Sequence, residues 1–334
     1  MGDFLCIIVL QNMSLETLDL ESKGSNMRLD EEHHFCYTVF ELKDILDKDD
    51  IDLEKSFETK EADSETVELA IEHYESIMNS AGAFVGIGNT ALVFKQHPET
   101  EKSEQCVKCR WDFLMVNNKS KKVQELPENL RRLKMAEIHF KEVNDKKRSL
   151  QRKGMDFVAD NSVLREAMIQ RTAHTILAEA GMQNAVPDIN FIIKIDREES
   201  GEVNGDPFVV SEAVNLMFME QVQGMNLEEM IYQGAPSVAE KMDIPSIEQK
   251  LREMVGLLHE GGIAHRDLSL RNIMLDSETL EPRIIDFGKS IHQPVLQEAD
   301  KERDIQFVDE AVRFLTKFKK DPQRASADLK ELHI

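Results

Sequence analysis

The chain has 334 residues, 31% of them charged, and a formal net charge of −22. That balance argues against a general affinity for nucleic acid, and the length allows one sizeable core plus an added module. Four cysteines in a chain this long make no disulfide framework, which points to a reducing compartment, cytoplasmic or nuclear.

The charge is unevenly spread. Residues 1–80 hold 21 Asp/Glu against 6 Lys/Arg, whereas residues 117–153 hold 12 Lys/Arg against 5 Asp/Glu. The first apolar run, Phe4 to Leu10, is too short to span a bilayer and lacks a basic flank, so it reads as a buried strand and no membrane span is expected. Gly2 invites a lipid-anchor reading, but Cys6 stands where such signals prefer Ser or Thr. Phe35 to Leu42 reads as a strand. Between Asp44 and Asp63 acidic residues crowd a segment with few apolar anchors, which reads as a solvated linker. Residues 1–62 are therefore taken as an acidic extension. Asp63 or Ser64 then caps a helix to about Asn79, with Val67, Ala70, Ile71, Tyr74, Ile77 and Met78 on one face.

Gly86-Ile87-Gly88 precedes the apolar run Leu92-Val93-Phe94. Glycines spaced in this way let a backbone approach phosphates closely, although a GxG turn is also common in ordinary hairpins. A turn over residues 97–104 leads to a second apolar strand, Gln105 to Arg110, with Lys108 as its single lysine. Cys106 and Cys109 form a lone CxxC on that strand; their side chains face opposite ways and no second pair follows, so they read as core cysteines. The basic stretch reads mostly as helix over residues 126–150. A further helix is expected from Val163 to about Ala180, capped by Ser162, ended by Gly181, and carrying Glu166 in its first turns.

Phe191 to Ile195, Phe208 to Ala213 and Leu216 to Val222 read as strands, the last broken by Gly224. Ile247 to His259 repeats apolar residues at helical spacing. Then comes the most informative stretch, Ile263 to Ser290. It contains His265-Arg266-Asp267, then Asn272, then Asp286-Phe287-Gly288. An aspartate in a tight loop can orient a hydroxyl and accept its proton. An asparagine and a second aspartate offer hard oxygen ligands to Mg²⁺. Ile273 to Leu275 and Arg283 to Ile285 read as the two strands of a hairpin that brings Asn272 beside Asp286. After Gly288 only 46 residues remain, with one helix expected over Val308 to Phe318 and Asp304 placed to brace the catalytic loop.

HRDLSLRN followed by DFG resembles the catalytic loop and metal-binding motif of the protein kinase superfamily. GNTALVFK and the Glu166 helix are similar to segments of the small kinase of the KEOPS complex. The short tail and Ser269 two places after Asp267 resemble RIO kinases, whereas Arg266 and the intact DFG depart from both. The resemblance covers about residues 82–310 and implies an α+β, two-lobed protein kinase-like fold. Its small lobe would span residues 82–219, with a basic insert at 117–153, and its short large lobe residues 223–334.

The resemblance also implies roles. Asp267 would be the catalytic base, with Asn272 and Asp286 holding Mg²⁺. Lys108, paired to Glu166, would grip the ATP phosphates under Gly86, Gly88 and Val93, although Ala91 replaces the third glycine of the usual loop. Backbone groups of Glu220 and Val222 would meet adenine, behind Met219. The 58 positions between Lys108 and Glu166 are long for the family, so Glu137 stands as the alternative partner. The expected activity is phosphoryl transfer from ATP to a protein Ser or Thr. The rivals are a small-molecule phosphotransferase of the aminoglycoside or choline kinase type, and a nucleotide-binding scaffold without catalysis. Expected partners are a protein substrate, an activating protein, and an acidic partner such as RNA at the basic insert.

Overall fold

A computed structural model describes residues 28–30, 33–42, 57–60, 84–87, 92–95, 105–118, 163–203, 206–233 and 236–332. The expected strand at 4–10, the helices over 63–79 and 126–150, Gly88 and Glu137 lie outside these residues. The chain divides into two units. One holds all strands up to Glu220; the other holds the Glu166 helix and everything from Val222 onward.

The described residues of the first unit form an antiparallel sheet. Its strands are β1 (Arg28–Asp30), β2 (His33–Leu42), β3 (Phe57–Lys60), β4 (Phe84–Ile87), β5 (Leu92–Lys95), β6 (Gln105–Asn118), β7 (Ile189–Val203) and β8 (Asp206–Glu220). Their order is β1-β2-β7-β8-β6-β5-β4, with β3 also paired to β2. Strand β2 contains the expected Phe35 to Leu42 strand and pairs with β7, His33 opposite Glu199 and Thr38 opposite Lys194. The acidic N-terminal stretch therefore contributes strands to this sheet. Strand β3 falls within what reads as a linker. Phe57 and Thr59 favour extended backbone, and pairing with Val39 to Leu42 outweighs the surrounding acidity.

Strands β7 and β8 are longer than their apolar residues suggest. The charged run from Asp196 to Val203 has the composition of a loop, yet it pairs residue by residue with β8, ending at Val203 opposite Asp206. Nor does β8 break at Asn215. That side chain is buried, but its amide donates to the Arg110 carbonyl at 3.4 Å, so the polar group is satisfied inside the sheet. Opposite it, β6 carries Asp112 as an extra residue between the Trp111–Val214 and Phe113–Ala213 pairs. Leu216, Met217 and Phe218 are all fully buried, so both faces of β8 are covered there.

The second unit is mainly helical. Its helices are α1 (Val163–Glu179), α2 (Leu227–Gln233), α3 (Pro236–Lys241), α4 (Ile244–Glu260), α5 (Glu298–Lys320) and α6 (Pro322–Leu332). Helix α1 ends at Gly181, whose φ of 87° needs no side chain. The Gly181 N–H reaches the Ala178 carbonyl and the Met182 N–H reaches the Leu177 carbonyl, which satisfies the last turn. Helix α4 turns Ile247, Leu251, Met254, Val255 and Leu258 into a core shared with Ile169, Ala173 and Leu177 of α1 and Val308, Leu315 and Phe318 of α5. Its start is fixed by Asp243, whose carboxylate accepts the Ser246 N–H. Helix α5 begins ten residues before the expected Val308, because its first turns are charged throughout. Helix α6 buries Ala325, Ser326 and Leu329.

Small strands complete this unit: β9 (Gly224–Asn226), β10 (Ile263–Ala264), β11 (Ile273–Asp276), β12 (Pro282–Ile284) and β13 (Ile291–His292). Strands β11 and β12 form the expected hairpin, Ile273 opposite Ile284. In its turn the Asp276 carboxylate accepts the N–H groups of Glu278 and Thr279 and pairs with Arg283 at 2.9 Å.

Candidate active site

The hairpin positions the loop before it and the turn after it. Its last cross-strand bond runs from the Ile285 N–H to the Asn272 carbonyl at 3.0 Å, so Asp286 leaves the hairpin next to Asn272. The Asn272 side-chain amide donates to the Asp267 carbonyl at 2.8 Å and to its carboxylate at 3.2 Å. This orientation leaves the amide oxygen of Asn272 as a hard ligand. Asp286 adopts the left-handed conformation, φ 64°, and opens a 3-10 turn over Phe287–Lys289. Gly288 makes that turn possible in a crowded place. A Cβ there would stand 3.3 Å from both the Asp286 and the Glu166 carboxylate oxygens. Buried Glu166 thus lies against the turn that carries Asp286.

The loop rests on α5. The buried Asp304 carboxylate accepts the backbone N–H of His265 at 2.8 Å and of Arg266 at 2.6 Å, and meets the His259 ring at 3.0 Å. The bracing expected of Asp304 is present. His265 is buried with Nε2 3.1 Å from the Ile285 carbonyl, and its ring stands edge-on to Phe287 at 4.7 Å. Since a carbonyl only accepts, Nε2 carries the proton. Burial pushes His265 below the ordinary imidazole value; the carboxylates of Asp304, Asp286 and Asp267 pull the other way without overcoming it.

Among the described residues, three cations of this region have ion pairs at or beside the loop. Arg266 pairs with Asp300 of α5 at 3.1 Å, and Arg271 with Glu228 of α2 at 2.5 Å. Lys289 pairs with Asp267 itself, Nζ to carboxylate oxygen 2.8 Å. Nothing in the pattern of motifs singles Lys289 out; its only signal is a positive charge directly after Gly288.

In the sheet unit, Gly86 of β4 pairs with Val93 of β5, and Val93 pairs with Lys108 of β6. Direct cross-strand partners share a face, so these three form one transverse row. A bulge at Val85 bends β4 just before Gly86. Cys106 and Cys109 are buried thiols, and burial pushes Cys106 up to about 12. The Cys106 thiol donates to the Glu220 carbonyl at 3.7 Å. Lys108 and Glu220 belong to the sheet unit, Glu166, Val222, Asp267, Asn272 and Asp286 to the helical one.

Residues 147–303 match the protein kinase domain. The matched residues include Glu166, the catalytic loop and the DFG turn, and exclude Lys108 and the glycine-rich stretch. The fold is α+β and kinase-like. A Dictyostelium discoideum protein described as probable serine/threonine-protein kinase fnkB is 38% identical over 74 residues, 22% of this chain and 14% of that protein. The EKC/KEOPS complex subunit bud32 of the same organism is 31% identical over 83 residues, 25% of this chain and 33% of that protein. The chain thus spans one third or less of the length of either relative. Neither description names a RIO kinase.

Among the described residues no three His, Cys, Asp or Glu side chains are grouped to hold a metal ion, and no helix is long and apolar enough to cross a membrane. The Asn272 amide oxygen and the Asp286 carboxylate are hard oxygen donors, the kind of group that Mg²⁺ takes.

Proposed function

We propose that this chain is an ATP- and Mg²⁺-dependent protein kinase of a compact, atypical kind that transfers phosphate to Ser or Thr. The observation that carries the reading is the Asp267–Asn272–Asp286 arrangement. One carboxylate is held by an amide, and a second enters beside it from the far strand of the hairpin. Bound Mg²⁺ would neutralise charge on the β- and γ-phosphates.

Asp267 orients the acceptor hydroxyl and takes its proton. Asn272 keeps Asp267 in place through one N–H bond to its backbone carbonyl and one to its carboxylate, and offers its oxygen to the metal together with Asp286. Lys108 holds the α/β-phosphates, with Glu166 as its partner, and Gly86, Gly88 and Val93 cover them. Glu220 and Val222 meet the adenine through their backbone groups. Catalysis of this kind is positioning and charge neutralisation, so the rigid seat on Asp304 is part of it.

Regulation follows from Ser290 and Arg266. The Ser290 hydroxyl is buried and donates to the His265 carbonyl at 3.2 Å, so a phosphate there would displace the catalytic loop. Arg266 is already paired to Asp300. We take the activity to be constitutive or switched by a partner protein; similarity to a subunit of the EKC/KEOPS complex supports the second form.

Calorimetry with ATP tests the reading. Wild type binds ATP more tightly with Mg²⁺ than with EDTA. Asp286→Asn loses most of that difference, and Asp267→Asn keeps it. Equal affinity with and without Mg²⁺ in the wild type would remove the assignment of Asn272 and Asp286.

A further inference from the structure

The site built around Asp267 is rich in negative charge. Asp286 and Glu166 crowd the same turn, and a nucleotide would add its phosphates. Phosphoryl transfer spreads charge over the equatorial oxygens of the group in flight, and cations aimed at those oxygens are a large source of rate. The catalytic loop itself offers little. From Asp267 to Asn272 it reads Asp-Leu-Ser-Leu-Arg-Asn, and its arginine is turned to Glu228. Arg266 is turned to Asp300. Lys289 is left facing the reacting carboxylate.

Its geometry suits a mobile charge. The Lys289 side chain is 51% exposed, so the ammonium keeps much of its water while it pairs with the less exposed Asp267. The backbone beneath it is fixed by the 3-10 turn and by the Ser290 N–H to Phe287 carbonyl bond of 3.0 Å. A flexible four-carbon stem on a fixed turn lets the ammonium move a few ångströms while its root stays in place. Exposed ion pairs of this sort are worth at most about 1 kcal/mol, so exchanging the carboxylate for a phosphate oxygen costs little.

Resting on the kinase reading, we propose that Lys289 is a catalytic cation: its ammonium leaves Asp267 when Mg·ATP binds and grips a non-bridging oxygen of the transferring phosphoryl group. In that step the acceptor oxygen forms a bond to the γ-phosphorus. The bond from that phosphorus to the bridging oxygen breaks, and ADP takes the electron pair. The acceptor proton passes to Asp267, which Lys289 has vacated. Lys289 thus serves twice, holding the base in position before the nucleotide arrives and stabilising charge on the phosphoryl group afterwards.

The test compares wild type with Lys289→Ala, Lys289→Gln and Lys289→Arg, using ATP hydrolysis and transfer to dephosphorylated casein. Binding of Mg·ADP, with and without aluminium fluoride as a mimic of the group in flight, supplies a readout independent of turnover. Removing the ammonium should lower kcat about 10- to 100-fold and weaken Mg·ADP–aluminium fluoride at least about tenfold, with Mg·ADP affinity unchanged. Lys289→Arg should recover most of both. Lys289→Gln keeps the stem and carries the same expectation as alanine, so a poorly folded alanine variant leaves the test intact. Equal or higher kcat in the neutral variants would mean that Lys289 merely occupies Asp267, and would overturn the proposal. Parallel loss of ADP and ADP–aluminium fluoride binding would reduce Lys289 to a structural residue, and would also overturn it. Failure here is separable from failure of the kinase reading. A wild type that turns over, an inert Asp267→Asn and a fully active Lys289→Ala would sink only the Lys289 role. A wild type that neither hydrolyses ATP nor phosphorylates casein would remove both.

Discussion

Asp304 of α5 holds Arg266 by its backbone: the N–H donates to the buried carboxylate at 2.6 Å while Arg266 sits at φ 65°. A non-glycine residue in the left-handed region costs about 1–2 kcal/mol, and a charged acceptor is what offsets it. The same carboxylate takes the His265 N–H, so two consecutive peptide groups of the catalytic loop hang on one side chain. Asp304→Asn sets an amide N–H₂ against one of these donors. It should lower stability by about 3 kcal/mol and lower turnover with it. Urea unfolding monitored by far-UV dichroism measures the first. A midpoint equal to wild type would show that the loop is held by other means.

Two histidines should make the fold less stable in acid. Burial lowers the pKa of His265, and burial also lowers that of His292 against the Gly261 carbonyl. A folded-state value below the unfolded one means that the unfolded chain takes the proton first as pH falls. Their contribution is complete above about pH 6.5, the ordinary imidazole value, and is lost as the pH drops below it. The urea midpoint should therefore fall between pH 8 and pH 5.5 in the wild type. His265→Phe, which has nothing to protonate, should show a smaller fall. An equal fall in both would exclude His265 as a source.

Gly224 and Gly181 both have positive φ, but for different reasons. A Cβ on Gly224 would meet the Leu275 carbonyl oxygen at 2.0 Å, where β9 passes β11, whereas a Cβ on Gly181 meets nothing within 4 Å. Gly181→Ala should cost about 1 kcal/mol of backbone strain alone. Gly224→Ala must push two backbones apart in a three-stranded sheet and should cost about 3 kcal/mol or more. Thermal denaturation of the two variants side by side checks the order. A smaller loss at Gly224 would mean that β9 can move.

Glu166 and Glu137 compete for one role. Glu166 is buried beside Gly288, at the turn that carries Asp286, which favours it. Glu166→Gln should lower turnover about tenfold or more if Glu166 positions Lys108 as proposed. Glu137→Gln should leave turnover within about twofold of wild type, the scatter expected of a change outside the site. The reverse order, in the same ATPase assay, would transfer the pairing role to Glu137.

What the sequence discloses is what lies close along the chain. The catalytic loop, the hairpin and the DFG turn occupy fewer than thirty residues, so motif spacing alone brings Asn272 to Asp286. Helix α1 announces itself by its stop at Gly181, and α4 by its apolar spacing. The rest depends on partners distant in sequence. The charged arm of β7 is a strand because β2, some 160 residues earlier, supplies one of its two neighbours. Helix α6 buries Ala325 and Ser326, whose size leaves no apolar pattern to read. Lys289 carries no periodicity, and only the folded turn aims it at Asp267.

The most direct measurement is transfer of label from γ-labelled ATP, with Mg²⁺, to protein Ser or Thr by the wild-type chain and by Asp267→Asn, each first shown to bind ATP. Labelled phosphoserine or phosphothreonine is expected with the wild type. Asp267→Asn should lose at least about 100-fold of that rate at unchanged nucleotide affinity, the size expected when a general base is removed. Near-normal transfer by Asp267→Asn, or binding of Mg·ATP by the wild type without any transfer, would contradict the kinase reading.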